Sequence, residues 1–326
     1  MKNRILVGQS FDPWHNLAVE ALLFEALGRD AAVLYLWQNR NTVVIGRHQN
    51  AWRECRVKLL EDEGGKLARR STGGGAVFHD LGNLNFTFIL PRAACDVPRQ
   101  LKAVRRAVAE FGIDTEFTGR NDLVVAGTGG KFSGSAFRYT DAVGMHHGTL
   151  LVNADMDRLA RYLAPSGDKL KAKGIKSVRS RVCNLGEMCP DIDIPGLSDA
   201  LQRAFIEEYG PAETVTEADL DPQRLRELED LYASWDFRLG KALPFDARLE
   251  TRFPWGGVTL ELSLRQGVVV EARTWSDAMD EAMIDRVAPA LIGRKYQNEA
   301  LSEALRGLHT PETDDMAGWL MEEDLG

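Results

Sequence analysis

Residues 69–80 carry the chain's densest set of groups that could bind an anion. They read Arg-Arg-Ser-Thr-Gly-Gly-Gly-Ala-Val-Phe-His-Asp. Three consecutive glycines place no Cβ between the backbone and a ligand, so their N–H groups can point at it. The guanidinium groups of Arg69 and Arg70 add donors suited to phosphate or carboxylate. A plain turn is the alternative reading, but the cationic flank and apolar Ala-Val-Phe favour a ligand with an anionic head and an apolar tail.

The common nucleotide-binding signatures do not occur in the sequence. Residues 127–132 read Gly-Thr-Gly-Gly-Lys-Phe, which is similar to part of a P-loop. The spacing of the first glycine is wrong, and Phe132 replaces the Ser or Thr that would bind magnesium. No Gly-x-Gly-x-x-Gly follows a predicted strand either. Any nucleotide is therefore bound by other means.

Composition is that of an ordinary soluble globular protein. The chain has 326 residues, of which 44% are hydrophobic and 27% charged, a balance that predicts about two globular domains. No apolar run is long enough to span a bilayer, and the short apolar stretch at the N-terminus is no secretion signal, so we expect a cytoplasmic protein without membrane contact. Four scattered cysteines give no zinc-binding spacing and predict reduced thiols.

Charge is divided unevenly along the chain. Residues 1–189 carry 27 Lys and Arg against 19 Asp and Glu, a net +8, whereas residues 190–326 carry 13 against 29, a net −16. The basic part contains the glycine segment, which suits an anionic small molecule or an acidic protein partner. Nucleic acid is disfavoured because no basic stripe with interleaved aromatic residues occurs. Residues 169–181 hold six basic residues and no acidic one, which fits either a solvated loop or a segment that orders over an anion.

Hydrophobic periodicity predicts an α+β fold in two parts. In the large part we expect a hairpin of strands 32–37 and 42–46, and further strands and helices. The other predicted strands are 5–7, 84–90, 121–125 and 145–152, and the predicted helices begin at Pro13 and cover 54–64, 97–111, 197–209 and 225–235. Residues 240–244 read as a boundary, which gives a large domain at 1–243 and a small α+β domain at 244–326. The small domain is predicted to contain strands 257–264 and 268–275, then helices near 281–292 and 298–308.

Several ordered motifs together resemble the lipoate-protein ligase A family. The resemblance covers nearly the whole chain, and its most specific parts are Phe-Asp-Pro-Trp at residues 11–14, residues 43–47, the segment 69–83, residues 119–123 and 131–136, His-His-Gly-Thr-Leu-Leu at 146–151, Lys-Gly-Ile at 173–175 and Trp-Gly-Gly-Val at 255–258. The resemblance implies a large mixed-sheet catalytic domain, of the type shared with biotin protein ligases and class II aminoacyl-tRNA synthetases. It also implies a small C-terminal accessory domain.

The resemblance also implies a two-step reaction. Lipoate and ATP give lipoyl-AMP and pyrophosphate, and a lysine of an acceptor domain then takes the lipoyl group and releases AMP. The implied acceptors are apo lipoyl domains of 2-oxoacid dehydrogenase acyltransferase subunits and the glycine-cleavage H protein. ATP and Mg²⁺ are the implied cofactors, and we expect a monomer.

The motif positions suggest roles for individual residues. Joining a carboxylate to the α-phosphate brings two anions together, so a fixed cation at the developing charge would lower the barrier. Lys131 is the candidate catalytic cation, and Asp122 is a possible magnesium contact. The remaining candidates for binding ATP and lipoyl-adenylate are Arg70, Gly73, Gly74, Gly75, Ala76, Val77, Phe78, His147 and Lys173. Because neighbouring residues of a strand point to opposite faces, at most one of His146 and His147 faces the site.

Three other functions share parts of this pattern. An ATP-independent lipoyl or octanoyl transferase is the main alternative; its cysteine-dependent form needs a nucleophile near the lysine motif, and no cysteine lies between Cys95 and Cys183. A biotin ligase would carry a Gly-Arg-Gly-Arg pattern, which does not occur. A non-catalytic lipoate binder would not need both Arg70 and Lys131. Two positions depart from the resembled pattern, namely Gly130, where a basic residue is common, and Cys183, where Thr is common.

Overall fold

The computed structural model of the protein describes residues 3–26, 31–118, 122–163, 182–239, 247–265 and 267–323, with residues 52 and 53 described by their backbone alone. The chain divides into two compact units. The first comprises residues 1–45, 51–70 and 76–238, and the second comprises residues 46–50, 71–75 and 239–326. The predicted boundary between residues 243 and 244 lies in residues 240–246, outside the described part of the chain, and stays a prediction.

The first unit is built on an eight-stranded mixed sheet. Its strands lie in the order β11-β1-β2-β6-β10-β9-β8-β7. β1 runs parallel to both β11 and β2, and every other neighbouring pair is antiparallel. The strands of this unit are β1 (Asn3–Val7), β2 (Val33–Trp37), β3 (Thr42–Ile45), β4 (Lys66–Arg69), β5 (Val77–His79), β6 (Asn83–Pro91), β7 (Thr115–Thr118), β8 (Asp122–Val125), β9 (Lys131–Tyr139), β10 (Val143–Leu151) and β11 (Ala212–Val215).

Helices cover both faces of the large sheet. The helices of the first unit are α1 (Pro13–Ala26), α2 (Ala51–Glu54), α3 (Val57–Asp62), α4 (Val97–Ala109), α5 (Met156–Tyr162), α6 (Ile194–Tyr209), α7 (Pro222–Ala233) and α8 (Trp235–Leu239). Strand β2 shows why both faces are covered, because its five residues are all buried. Leu34 and Leu36 lie in the core under α4 and α6, whereas Tyr35 and Trp37 lie in the core under α1 and α7. A strand buried on both faces reads as a continuous apolar run.

Several helices of the first unit begin directly after an aspartate that caps them. The Asp12 carboxylate accepts the N–H of Trp14 at 3.0 Å, and Pro13 is the first helical residue of α1, as the sequence predicts. Asp96 and Asp193 cap α4 and α6 in the same way, each followed by a proline in the first turn. Each cap satisfies a backbone donor that the helix itself leaves unpaired.

The predicted hairpin of strands 32–37 and 42–46 is wrong. Strand β2 joins the eight-stranded sheet, whereas β3 is the middle strand of a separate three-stranded sheet, β4-β3-β5. In that sheet β3 pairs in parallel with β4 and antiparallel with β5. A short polar connection is compatible with a hairpin, but long-range pairing decides where each apolar strand is buried.

The second unit has its own core. It contains an antiparallel sheet in the order β12-β13-β14, formed by β12 (Ala247–Phe253), β13 (Gly256–Arg265) and β14 (Val268–Ser276). Helices α9 (Glu281–Leu291), α10 (Asn298–Arg306) and α11 (Pro311–Glu322) complete it. The pairing of β13 with β14 and the helices α9 and α10 confirm the predicted elements. The sequence analysis missed β12 and α11. Apolar side chains from all three helices and from β13 form the core of this unit.

Within the described ranges, no helix has the length and apolar character needed to cross a membrane. All four cysteines are free thiols, as their scattered spacing predicts.

Candidate functional site

Lys131 and Asp122 form an ion pair at one end of the large sheet. Lys131 is the first residue of β9 and Asp122 the first residue of β8, and Lys131 Nζ lies 2.7 Å from Asp122 Oδ1. About one third of each side chain is exposed. Gly134 lies opposite Asp122 in the pairing of the two strands. A Cβ at position 134 would lie 3.0 Å from Lys131 Nζ. The glycine therefore leaves room for the ammonium group over the sheet.

A glycine-rich turn fixes where β9 begins. Gly127 and Gly129 adopt φ of 79° and 68°, a region that side-chain-bearing residues seldom occupy. The N–H of Gly129 binds the carbonyl of Val125 at 2.9 Å, and the N–H of Val125 binds the carbonyl of Gly130 at 2.9 Å. The turn closes β8 onto β9 and thereby places Lys131 beside Asp122.

The two neighbouring histidines of β10 point to opposite faces, as the strand period predicts. His146 Nδ1 lies 2.7 Å from Gln100 Oε1 on α4, and its ring packs 4.6 Å from that of Phe137. His147 Nδ1 lies 2.8 Å from Glu20 Oε1 on α1. Burial lowers the pKa of His146 to about 3, with a smaller contribution from His147, so His146 is a neutral core residue.

Glu20 anchors a buried polar cluster on the face of the sheet that α1 covers. Its carboxylate accepts the hydroxyl of Thr87 at 2.7 Å and faces the ring of His147. The Thr87 hydroxyl in turn accepts the indole N–H of Trp37 at 3.1 Å. Glu20 itself is 1% exposed. A carboxylate so deeply buried needs such partners, since an unpaired buried charge is strongly destabilising.

Arg70 supplies a buried positive charge in the same unit. It follows β4, its N–H binds the carbonyl of Ile45 at 3.0 Å, and its guanidinium lies 3.3 Å from the carbonyl of Val44. Burial lowers the pKa of Arg70 to about 10, and the charge of Glu20 opposes that shift. The side chain therefore remains charged at neutral pH. A buried cation of this kind can attract an anionic group of a ligand.

His79 is held neutral in the buried interior. Burial, with smaller contributions from the charges of Arg70 and His147, lowers its pKa to about 3. Its Nδ1 lies 3.2 Å from Asn39 Nδ2, and its ring lies edge-on to Trp37 with centroids 6.3 Å apart. Its Nε2 has no hydrogen-bond partner among the described residues.

Two asparagines of β6 also have unsatisfied buried atoms. Asn83 donates to Asn85 Oδ1 at 3.0 Å, which leaves Asn83 Oδ1 and Asn85 Nδ2 without partners in the described structure. Because strands alternate, both asparagines share the face of Thr87. Sequence reasoning missed Glu20, Asn83 and Asn85. Their available signal was the period-2 spacing of polar residues at 83, 85 and 87 inside an otherwise apolar strand.

Residues 71–75, which include the three consecutive glycines, belong to the second unit. The N–H of Gly74 binds the carbonyl of Ala278 at 3.0 Å, and Gly74 adopts φ of 87°. A Cβ on Gly73 would lie 2.2 Å from the same carbonyl oxygen. A Cβ on Gly75 would meet no atom within 4 Å. Close backbone packing thus favours glycine at position 73 and the positive φ favours it at position 74, whereas Gly75 has open space beside it.

The residues after the glycines lie in the first unit. Val77 and Phe78 belong to β5, and Phe78 is buried against Tyr162 with ring centroids 5.5 Å apart. Ala76 and Val77 are half-buried. Because the Phe78 ring is committed to this packing, only its backbone is available to a ligand. Lys173 lies outside the described residues.

The described residues contain no group of three or more His, Cys, Asp or Glu side chains that could hold a metal ion.

The polar residues of the first unit fall into two groups. One buried polar environment contains Arg70, Glu20, His79 and His147, while Lys131 and Asp122 form a separate ion pair that is about one third exposed. Arg70 and Lys131 thus give the first unit two cationic groups, each of which could pair with an anionic ligand.

Comparison with known proteins identifies the family. Residues 12–206 match the lipoyl protein ligase A/B catalytic domain, and residues 242–320 match the bacterial lipoate protein ligase C-terminus. The chain is 44% identical to a lipoate-protein ligase A of Psychrobacter cryohalolentis over 99% of each chain. The chain belongs to the lipoate-protein ligase family, which confirms the function predicted from its motifs.

Solved structures confirm the fold class. The crystal structure of P. falciparum LipL1 in complex with lipoate matches with a TM-score of 0.86 and 28% identity, covering 98% of this chain and all of the other. A lipoate-protein ligase A bound with ATP matches with a TM-score of 0.64 and 28% identity, covering 74% of this chain and 99% of the other. A bipartite lipoate protein ligase of Thermoplasma acidophilum, described with its E2 lipoyl domain, matches with a TM-score of 0.67 and 28% identity, covering 76% of this chain and all of the other.

Proposed function

We propose that the protein activates lipoate with ATP and transfers the lipoyl group to a lysine of an acceptor domain. The carboxylate of lipoate attacks the α-phosphate of ATP, which forms lipoyl-AMP and releases pyrophosphate. The acceptor ε-amine then attacks the acyl carbon, which forms an amide and releases AMP. The family match and the ATP-bound and lipoate-bound relatives support this reaction.

The observation that carries the residue assignment is the ion pair of Lys131 with Asp122. Lys131 Nζ is held 2.7 Å from the carboxylate, and the side chain is 36% exposed. An ammonium group with this exposure can exchange its carboxylate partner for a phosphate oxygen. Opposite charge near the α-phosphate offsets the repulsion between the two reacting anions. We assign Lys131 as the catalytic cation on this basis.

The other proposed contacts with ATP and lipoyl-adenylate rest on how buried each side chain is and on which backbone atoms a ligand could reach. Arg70 remains charged although its side chain is buried, so it can bind a phosphate or carboxylate oxygen strongly. Gly75 has open space beside its Cα. Gly73 and Gly74 stay predicted contacts of the ligand, and the N–H of Gly74 binds Ala278 in this structure. Ala76, Val77 and Phe78 would offer backbone atoms to the adenine and the acyl chain. His147, hydrogen-bonded to Glu20, would lie behind the substrate rather than exchange protons with it. Lys173 stays a predicted contact of the adenylate.

Asp122 fits a magnesium site only in part. Mg²⁺ in nucleotide sites commonly takes one or two protein carboxylates and completes its shell with phosphate oxygens and water. Asp122 is one carboxylate, 32% exposed and not enclosed by other acidic groups in the described chain. It could serve as the single protein ligand once Lys131 has turned to the phosphate. When bound, Mg²⁺ would neutralise phosphate charge.

We also propose which proteins accept the lipoyl group and where in the cell the protein acts. The Thermoplasma relative is described with an E2 lipoyl domain, which supports apo lipoyl domains as acceptors. The H protein of glycine cleavage is a second proposed acceptor. The acidic C-terminal part and basic N-terminal part suit small-molecule and protein partners rather than nucleic acid or membrane. We propose a cytoplasmic monomer.

Product analysis with purified protein tests this function. Lipoate-dependent exchange of labelled pyrophosphate into ATP is expected without any acceptor. AMP release in multiple turnovers is expected only when lipoate and an apo lipoyl domain are both present. An acceptor whose target lysine is replaced by arginine is the matched control. Acyl transfer from an octanoyl carrier protein without ATP, together with no pyrophosphate exchange, would instead identify the transferase.

A further inference from the structure

Gly130 and Cys183 are in direct contact, although 52 residues separate them. A Cβ built on Gly130 would lie 2.7 Å from Cys183 Sγ and 3.0 Å from Cys183 Cβ. Both distances are shorter than van der Waals contact allows. The positive φ angles of this turn occur at Gly127 and Gly129, not at Gly130. A side chain at position 130 would therefore have to displace Cys183, whose thiol occupies that space.

The backbone of Cys183 is bound to Lys131. Its N–H donates to the carbonyl of Lys131 at 2.9 Å, and Val182 forms a parallel bridge with Lys131. The next residue, Asn184, binds both the N–H and the carbonyl of Ala154, at 2.9 and 3.0 Å. Residues 182–184 thus form a short strap between the end of β10 and the start of β9. The strap cannot shift from Gly130 without breaking one of these bonds.

The thiol of Cys183 is placed for packing rather than for attack. The residue is 8% exposed and belongs to the apolar core beneath α4 and α6. Burial raises the pKa of the Cys183 thiol, and Glu187 raises it further, so the thiol is protonated at neutral pH. A reactive cysteine needs the thiolate form and access to its substrate. The sequence shows no cysteine near the lysine motif along the chain. In the folded protein, however, Cys183 packs directly beside that motif.

We propose that Cys183 is a positioning residue for Lys131 in the adenylation step, and that the Gly130–Cys183 contact sets the backbone from which Lys131 reaches the phosphate. This inference rests on the proposed function of Lys131. A side chain at position 130 would push the Cys183 backbone away from the Lys131 carbonyl. A shift of a few tenths of an ångström at a reacting group is expected to lower kcat roughly tenfold, since about 1 Å can cost about 10²-fold. Both positions are also those where the sequence departs from the resembled family pattern.

The test is a double-mutant cycle on lipoate-dependent pyrophosphate exchange. Gly130→Ala should lower kcat about tenfold, with little change in the KM for lipoate. In the Cys183→Gly background the same added methyl meets neither Sγ nor Cβ, so Gly130→Ala should then be neutral. Cys183→Ala removes the 2.7 Å contact and keeps the 3.0 Å one, so partial rescue is expected. Two variants are controls: Gly318→Ala, whose Cβ meets no atom within 4 Å, and Cys189→Ala, a half-buried cysteine of the same core.

Three outcomes would overturn the proposal. The first is wild-type kcat in Gly130→Ala, and the second is a tenfold loss that persists in Gly130→Ala with Cys183→Gly. The second comparison uses only the Cys183→Gly background, so it decides the matter even if Gly130→Ala alone does not fold. The third is an acyl-thioester on Cys183, seen by mass spectrometry, with loss of transfer in every Cys183 variant; that result would make Cys183 a nucleophile. Failure of wild-type exchange would instead refute the proposed function itself.

Discussion

Replacing Lys131 by alanine should selectively disable adenylate formation. Two unit charges 4 Å apart interact by about 4 kcal/mol at an effective dielectric constant near 20. The Lys131 side chain is 36% exposed, so water screens part of this interaction. Loss of a comparable group that stabilises developing charge costs about 2.7–4 kcal/mol, or roughly 10²–10³-fold in kcat. We therefore expect pyrophosphate exchange by Lys131→Ala to fall by at least 10²-fold.

The assay must separate the two half-reactions. Pyrophosphate exchange reports the first step, and transfer from chemically prepared lipoyl-AMP to an apo lipoyl domain reports the second. Lys131→Ala should lose much more in the first assay than in the second, because the prepared adenylate bypasses the encounter of two anions. The chain offers a matched control in Lys58, whose Nζ also lies 2.7 Å from an aspartate, Asp62, but whose side chain is 83% exposed. Lys58→Ala should leave both rates unchanged.

Two results would refute the assignment of Lys131 as the catalytic cation. Pyrophosphate exchange within threefold of wild type in a folded Lys131→Ala protein would show that another group meets the phosphate. An equal loss in both half-reactions would mean that Lys131 supports binding of the adenylate rather than its formation. Asp122→Asn adds a further check, because it keeps the size of the side chain and removes the charge that pairs with Lys131. If Asp122 also contacts magnesium, this variant should require more Mg²⁺ for half-maximal exchange.

Further predictions concern substrate choice, the buried cluster and pH. Octanoate should support pyrophosphate exchange, since it keeps the eight-carbon chain of lipoate and lacks only the two ring sulfur atoms. A small difference of this kind in an apolar pocket changes kcat/KM by only roughly 10–200-fold; strict refusal in the exchange assay would contradict a simple apolar slot. Glu20→Gln should lower the free energy of unfolding by roughly 1–3 kcal/mol in urea denaturation, because the amide removes the charge that Arg70 and His147 face; an unchanged midpoint would refute the buried cluster. Burial alone would lower the pKa of His15, but Glu217 and Glu229, at 2.9 and 3.3 Å, raise it above 6.5. The stabilisation from His15 is then complete below pH 6.5 and is lost as pH rises through the folded-state pKa. His15→Gln should flatten the fall of Tm over that range, and an identical pH profile in the variant would exclude this role.

The sequence alone determined the local features that depend on neighbouring residues. Capping of α1 by Asp12 follows from the need of a helix start for an acceptor side chain, and this cap is observed. The opposite orientations of His146 and His147 follow from the strand period alone. The motifs around Lys131 and the glycine segment identified the family, because many short patterns occurred in the right order.

Only the tertiary structure decided which distant segments meet. Sequence patterns carry the period of an element but not its partner, so the pattern could not show that β2 and β3 enter different sheets. Nor could it show that Glu20 meets His147, or that Gly73 and Gly74 pack on Ala278. The same reason explains Gly130 and Cys183. Where glycine is needed for room and not for its backbone angle, the need is recognisable only once the atom that fills the room is known. Here that atom belongs to a residue 53 positions further along the chain.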